Sequence, residues 1–201
     1  MGTEPVFDFI TFPVLMTERL TLREFRRSDA ADVLIFRGDP IVQKYDDPII
    51  HTKVEAQTFI DELHEEYRAR EGISWAVTRS DLGVVVGIFG LYHWSRHHRR
   101  AEAGYGLAHA YWGQGIASEA LRAILRFGFE QFNLNRIYAQ TIADNHESVR
   151  LLERLGFRRE GTFHKHSWED DGTFHDSAMY GLLREEFTSY MQHSFSKGHA
   201  S

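Results

Sequence analysis

Two glycines one residue apart, Gly113 and Gly115, stand between an apolar run at 103–107 and an amphipathic run that opens directly behind them. In the second run Ala117, Leu121, Ile124, Leu125 and Gly128 fall on one face of a 3.6-residue repeat, and Glu119, Arg122, Arg126 and Glu130 on the other. Residues 102–132 therefore predict strand, glycine loop, helix. The first-turn N–H groups of such a helix lack backbone partners, and the positive end of its dipole points at the same spot. That junction suits phosphate-like anions, so a phosphorylated cofactor is expected there.

The remaining pattern places this unit inside a mixed sheet. Residues 20–25 alternate as a half-buried strand. Ser28 or Asp29 is expected to cap a short helix through Phe36, ended by Gly38 and Pro40. Thr52 and Glu55 form a capping box that opens a helix with Ala56, Phe59, Ile60, Leu63 and Tyr67 on one face. Its acidic residues at 61–66 face water. Runs at 73–78 and 84–92 predict two strands, and the loop 95–100 (S-R-H-H-R-R) leads into the central strand. Behind the central helix come a strand at 136–142, a helix from Asp144-Asn145 to Leu155 closed by Gly156, and a hairpin of 157–168 with 174–183. Residues 184–192 add a short helix. A strand–helix–strand unit demands parallel pairing and the flanking hairpins antiparallel pairing. The expectation is one α/β domain over 1–201, with 1–14 a loose lead-in and 193–201 a loose tail.

With 201 residues a single domain buries about 70% of its unfolded surface, enough for a core without staples. The chain has no cysteine, which excludes disulfides, thiolate nucleophiles and zinc–thiolate sites. A formal net charge of -6 argues against nucleic acid and favours cationic partners. Glu4, Pro5 and Asp8 replace the basic start of a signal peptide, and no apolar run reaches the ~20 residues of a membrane span. A cytoplasmic protein with no membrane partner is expected. His164, His166 and His175 can meet across the hairpin, but without carboxylate spacing or cysteines no metal site is expected. Arg96, Arg99 and Arg100 read as a solvated loop. Trp75, Trp94 and Trp168 read as packing, and Tyr45 as a residue of an acceptor cleft.

Three readings compete for Gly113-Gln114-Gly115-Ile116-Ala117-Ser118. A P-loop needs a lysine after its last glycine, and none is present. A dinucleotide fingerprint needs a third glycine where Ser118 stands and an acid ending the next strand; Asp144 lies too far on. The third is a resemblance. W-G-Q-G-I-A at 112–117 resembles the Q/R-x-x-G-x-G/A pyrophosphate motif of the GNAT acyl-CoA N-acyltransferases, with Trp112 in place of Gln or Arg. The stretches T-E-R-L-T-L-R-E-F at 17–25, G-D-P at 38–40, E-A-G-Y-G-L at 102–107, N-H-E-S-V-R-L-L-E-R-L-G-F at 145–157 and E-D-D-G-T-F-H-D-S-A-M-Y at 169–180 are similar to its Rim-type branch, N-terminal acetyltransferases of ribosomal proteins.

The resemblance implies a mixed, mostly antiparallel sheet with a central splayed parallel pair and helices on both faces. It implies acetyl-CoA as cosubstrate, its pyrophosphate on the N–H groups of Gly113, Gln114, Gly115, Ile116, Ala117 and Ser118, and its pantetheine arm in the splay. The thioester carbonyl then takes a hydrogen bond from Leu107, and Asn145 contacts the pantetheine or caps the following helix. Ser148 corresponds to the Rim-type serine proposed to protonate the departing thiolate; a helix-start serine with only local bonds is the plainer reading. The tyrosine of other GNAT enzymes falls at Leu152. Glu102, expected beside the thioester end, is the candidate base or an exposed strand carboxylate; Gln140 cannot serve, and Glu169 is a second candidate. The acceptor implied is a protein N-terminal amine, with a small amine such as a polyamine or aminoglycoside, or a module that binds acyl-CoA without turnover, as alternatives. A homodimer is the assembly allowed for.

Overall fold

The computed structural model describes residues 7–45, 48–169 and 171–197; the expectations for 1–6, Asp170 of the hairpin turn and 198–201 lie outside the described residues. In chain order the elements are β1 (Leu15–Met16), β2 (Leu20–Arg23), α1 (Ala30–Arg37), α2 (Lys53–Ala69), β3 (Ile73–Arg79), β4 (Val85–Ser95), β5 (Arg100–Leu107), α3 (Ile116–Glu130), β6 (Arg136–Ile142), α4 (His146–Arg154), β7 (Arg158–Trp168), β8 (Phe174–Leu183) and α5 (Arg184–Lys197). The strands form one sheet in the order β1-β2-β3-β4-β5-β6-β8-β7. All neighbours are antiparallel except β5 and β6.

Cross-strand partners share a face of the sheet, and this sorts the helices. Trp75, Phe89 and Tyr105 lie in one row, packed with Leu121, Ile124 and Leu125 of α3 and Leu152 of α4. Ala76, Ile88 and Gly106 lie in the next row, whose Ala76 and Ile88 pack with Val33 and Phe36 of α1 and Ile60 of α2. The expected helices on both faces are present.

Several elements depart from the sequence pattern. β5 starts at Arg100 because the β4–β5 hairpin closes by pairing Ser95 with Arg100; ladder bonds need backbone, not apolar side chains. Asp29 holds the N-cap position of α1 but does not cap that helix with its side chain: its carboxylate accepts from the Arg23 guanidinium at 2.7 and 3.0 Å and from Arg26 N at 2.7 Å, which keeps a buried charge paired. Thr52 does cap α2, accepting from Glu55 N at 3.2 Å, while Glu55 accepts from His51 N at 2.8 Å. α5 runs to Lys197, past the expected end at 192.

The lead-in is the larger correction. Its described part is not loose: Phe9 meets the rings of Phe7, Tyr67, Trp94 and Phe132 at 4.8–5.4 Å, Phe7 N donates to Gln131 O, and Leu15–Met16 adds a strand. Aromatic area rather than backbone pairing holds residues 7–12 on the core. Phe9→Ala is expected to lower unfolding stability by about 2 kcal/mol in denaturant titration; a change within error would mean the segment is not held by these rings.

Candidate functional site

The site begins where pairing stops. β5 and β6 pair in parallel only at Arg100↔Arg136, Ala101↔Ile137 and Glu102↔Tyr138, yet β5 continues to Leu107 and β6 to Ile142. Beyond Glu102 the strands diverge. On its other side β5 stays bonded to β4, and Ala108 N donates to Val86 O at 2.8 Å. Antiparallel ladders alternate between pairs that exchange bonds and pairs that turn outward. Ala103, Tyr105 and Leu107 therefore turn away from β4; Ala103 lies within reach of Tyr138 at the last parallel pair, and the N–H groups of Tyr105 and Leu107 face the opening.

The glycine loop closes one end of this opening. Gly113 and Gly115 have φ of 72° and 76°, a left-handed backbone that side chains resist, and Gly115 is the N-cap of α3. The glycines are required by the turn itself; a Cβ at Gly113 meets nothing within 4 Å. Two clamps hold the loop. The Trp112 indole donates to Leu107 O at 2.7 Å, which gives this departure from the motif a structural use. Arg19 donates to Gln114 O at 3.0 Å and to Glu119 at 2.7 Å, and Thr17 Oγ1 donates to Glu119 at 2.5 Å. Burial alone would raise the Glu119 carboxyl, but the bonds from Thr17 and Arg19 outweigh it and hold it below the ordinary range. A cleft of about 570 Å³ lies against Gly115 and Ser118, with Arg19, Arg122 and Arg154 in its wall beside Glu18 and Glu119. Arg19 is paired with Glu119, so the first-turn N–H groups with Arg122 and Arg154 make it a place for a polyanion.

The other end is built by α4. Asn145 is its N-cap and accepts from Ser148 N at 3.2 Å, so the capping reading of Asn145 holds. Ser148 sits in the first turn, and its Oγ lies 2.7 Å from the hydroxyl of Tyr105. That bond spans the opening from β5 to α4. Sequence reasoning missed Tyr105, and its alternation on the buried face was the only signal.

Glu102 lies on the opposite face. Its side chain is 27% exposed, hydrogen-bonded to Tyr138 and 3.9 Å from His93. Burial raises its carboxyl, with His93 and Tyr138 opposing. On this face the Tyr92 ring lies over two glycines: a Cβ at Gly90 would approach it to 2.6 Å and one at Gly104 to 2.8 Å. Ser74 Oγ donates to the Tyr92 hydroxyl at 3.0 Å. Glu102 and Leu107 are five residues apart on one strand, about 17 Å. A single thioester cannot touch both, so Glu102 is not beside the Leu107 end as expected.

Tyr45 lies 6.4 Å from the ring of His175. His175 Nε2 is 2.7 Å from Asp171, and its Nδ1 3.9 Å from Asp144. Glu169 is buried at the hairpin turn, its N donating to Thr173 O. Among the described residues no group of three or more His, Asp or Glu is arranged to hold a metal ion. Arg96, Arg99 and Arg100 are exposed, as expected of a solvated loop, and Arg99 also donates to Asn133 O and Oδ1, both at 2.8 Å, which ties the β4–β5 turn to the entry of β6. No helix among the described residues is long and apolar enough to cross a membrane.

Known proteins share this architecture. Residues 19–158 match the family described as an acetyltransferase (GNAT) domain. The Bacillus subtilis N-acetyltransferase YoaA, itself uncharacterized, is 32% identical over 174 residues, covering 86% of this chain and 98% of YoaA. Mycobacterium smegmatis RimJ, solved with a CoA-disulfide, is 25% identical with a TM-score of 0.77 over 92% of this chain and 91% of its own. RimL, an α-N-protein acetyltransferase of ribosomal L7/L12 solved with coenzyme A, shares the fold at 19% identity, with a TM-score of 0.78 over 85% of this chain and 98% of RimL.

Two outcomes follow from the loop. Gly115→Val, strained at positive φ and directed at Arg19, should weaken acetyl-CoA binding at least about tenfold by calorimetry; unchanged affinity would displace the site from this loop. The Glu119 bonds stabilise the fold fully above its ordinary value of 4.5, and that stability is lost as pH falls through the lowered folded value. Thermal melts of Glu119→Gln should therefore fall below wild type at neutral pH and converge with it in acid.

Proposed function

The chain belongs to the GNAT acetyltransferase family, and from that membership we propose that it moves an acetyl group from acetyl-CoA to a primary amine, with the N-terminal α-amino group of a protein or peptide as acceptor, in the cytoplasm. The observation that carries this reading is the opening between β5 and β6, with an anion loop at one end and a row of outward N–H groups along its wall. The pyrophosphate lies on 113–118. The pantetheine arm pairs with the row of Leu107 and Tyr105, and Asn145 lines its other side. The thioester lies where Ser148 reaches the row, and one of these N–H groups takes the charge that develops on its carbonyl oxygen.

The amine approaches from the α1–α2 face, past Tyr45. Its nitrogen attacks the carbonyl carbon, the new C–N bond forms, and the C–S bond breaks. Glu102 receives the amine proton through water, and Ser148 supplies hydrogen to the departing sulfur on the opposite face. Glu102 then releases its proton to water and Ser148 regains one from water, so amine and thioester become amide and thiol with no net proton change. With no cysteine in the chain, no thiol carries the acyl group, and attack is direct.

Asp144 and Asp171 lie beside His175 and Tyr45, with Lys44 over the Tyr45 ring partly offsetting them, and two carboxylates there suit a cationic acceptor. A polyamine satisfies the same charge, and this observation keeps a small amine as the second reading. Thiol release from acetyl-CoA against panels of N-terminal peptides and small amines separates them; turnover is expected with peptides. Tight binding of acetyl-CoA with turnover of nothing would mean a binding module. Glu102→Gln should lower kcat about 100-fold and remove the acid limb of the pH–rate profile. In wild type that limb should fall above the ordinary glutamate range, because burial raises the Glu102 carboxyl and the base form is lost as pH drops through it. An unchanged profile would take Glu102 out of the reaction.

A further inference from the structure

Among the described residues the Tyr105 hydroxyl has one hydrogen-bond partner, Ser148 Oγ at 2.7 Å, and its ring stacks on Phe89 at 5.7 Å against the core on the α3 face. Two hydroxyls at this distance share one hydrogen. If Ser148 donated to Tyr105, its own hydrogen would be spent in the core. Phenols are the stronger acids, with an ordinary pKa of about 10, so a phenol next to an alcohol donates and the alcohol accepts. Burial raises the Tyr105 phenol further and keeps its hydrogen in place. Ser148 N is already held by Asn145, which fixes the Cα–Cβ bond from the other side. With its lone pair engaged by Tyr105, the Ser148 hydroxyl has one hydrogen left to turn, towards the space between the strands.

We infer that Tyr105 is a positioning residue for Ser148: its hydroxyl orients and polarises the serine so that the serine hydrogen meets the sulfur leaving in the gap. Donation into Ser148 Oγ offsets the negative charge that grows there as the serine hydrogen moves towards sulfur, and hydrogen bonds in series strengthen one another. This rests on acetyl transfer taking place in the gap, as proposed above. A tyrosine that merely fills the core would matter to folding and not to Ser148.

A double-mutant cycle separates the two. Tyr105→Phe keeps the ring and removes one oxygen. It should lower kcat about tenfold while the KM for acetyl-CoA and the melting temperature stay close to wild type. In a Ser148→Ala background the same change should have less than about a twofold effect. An equal drop in both backgrounds, or none in the wild-type background, overturns the inference. A second readout needs no acceptor: the thiol of bound CoA, titrated by its ultraviolet absorbance, should ionise at higher pH in Tyr105→Phe than in wild type. It should ionise at the same pH in Ser148→Ala and the double variant. A shift that persists without Ser148, or no shift at all, contradicts the inference. If the wild type turns over no amine, acetyl transfer fails as a reading, and the thiol titration still decides whether Tyr105 acts on Ser148.

Discussion

Parallel pairing of β5 and β6 ends after three residues, and most of the molecule's functional geometry depends on that early end. A strand bonded on one side only leaves a row of backbone donors that need partners. Here the row belongs to the central strand, at Tyr105 and Leu107, beyond the last residue that β6 pairs. A ligand with its own amides can complete the ladder. The crossover helices make the opening useful: α3 starts just past β5 and α4 just past β6, so both helix starts face the same opening. Fixed donors at a helix start cost no reorganisation when an anion arrives.

The opening also passes through the sheet, and this sorts the chemistry. On the α1–α2 face lie Glu102, Tyr138 and the Tyr92 ring flat over Gly90 and Gly104. On the α3–α4 face lie Tyr105, Ser148 and Asn145. In the proposed reaction the group that takes a proton, Glu102, and the group that gives one, Ser148, are thus kept from neutralising each other. Each can be tuned by its own surroundings, Glu102 upward by burial and Tyr105 upward by burial.

Elements governed by local pattern were legible in the residues. β6 and β8 have the expected bounds, Thr52–Glu55 caps as its spacing required, and Gly113 and Gly115 mark the turn into α3. What depends on distant partners was not. Phe7, Phe9 and Phe12 have no period that announces a core, because they pack as a strap on rings from four other segments. Asp29 resembles a cap, but Arg23 claims its carboxylate. Arg99 looks free in a run of basic residues, and only the fold brings Asn133 to it. Trp112 looked like a lost motif residue until its indole was found on Leu107 O. The pairing of Glu102 with Leu107 in one site failed on length, since strand rise separates them.

The central claim is that the outward donors of β5 form the ladder for an acyl-CoA arm, and amide hydrogen exchange tests it residue by residue. Adding acetyl-CoA to the protein should slow exchange at Tyr105 and Leu107 and at the α3 start, 116–118. Exchange at Gly104 and Gly106, already bonded to β4, should stay as it was. Protection confined to 116–118, with the β5 amides unchanged, would contradict the account.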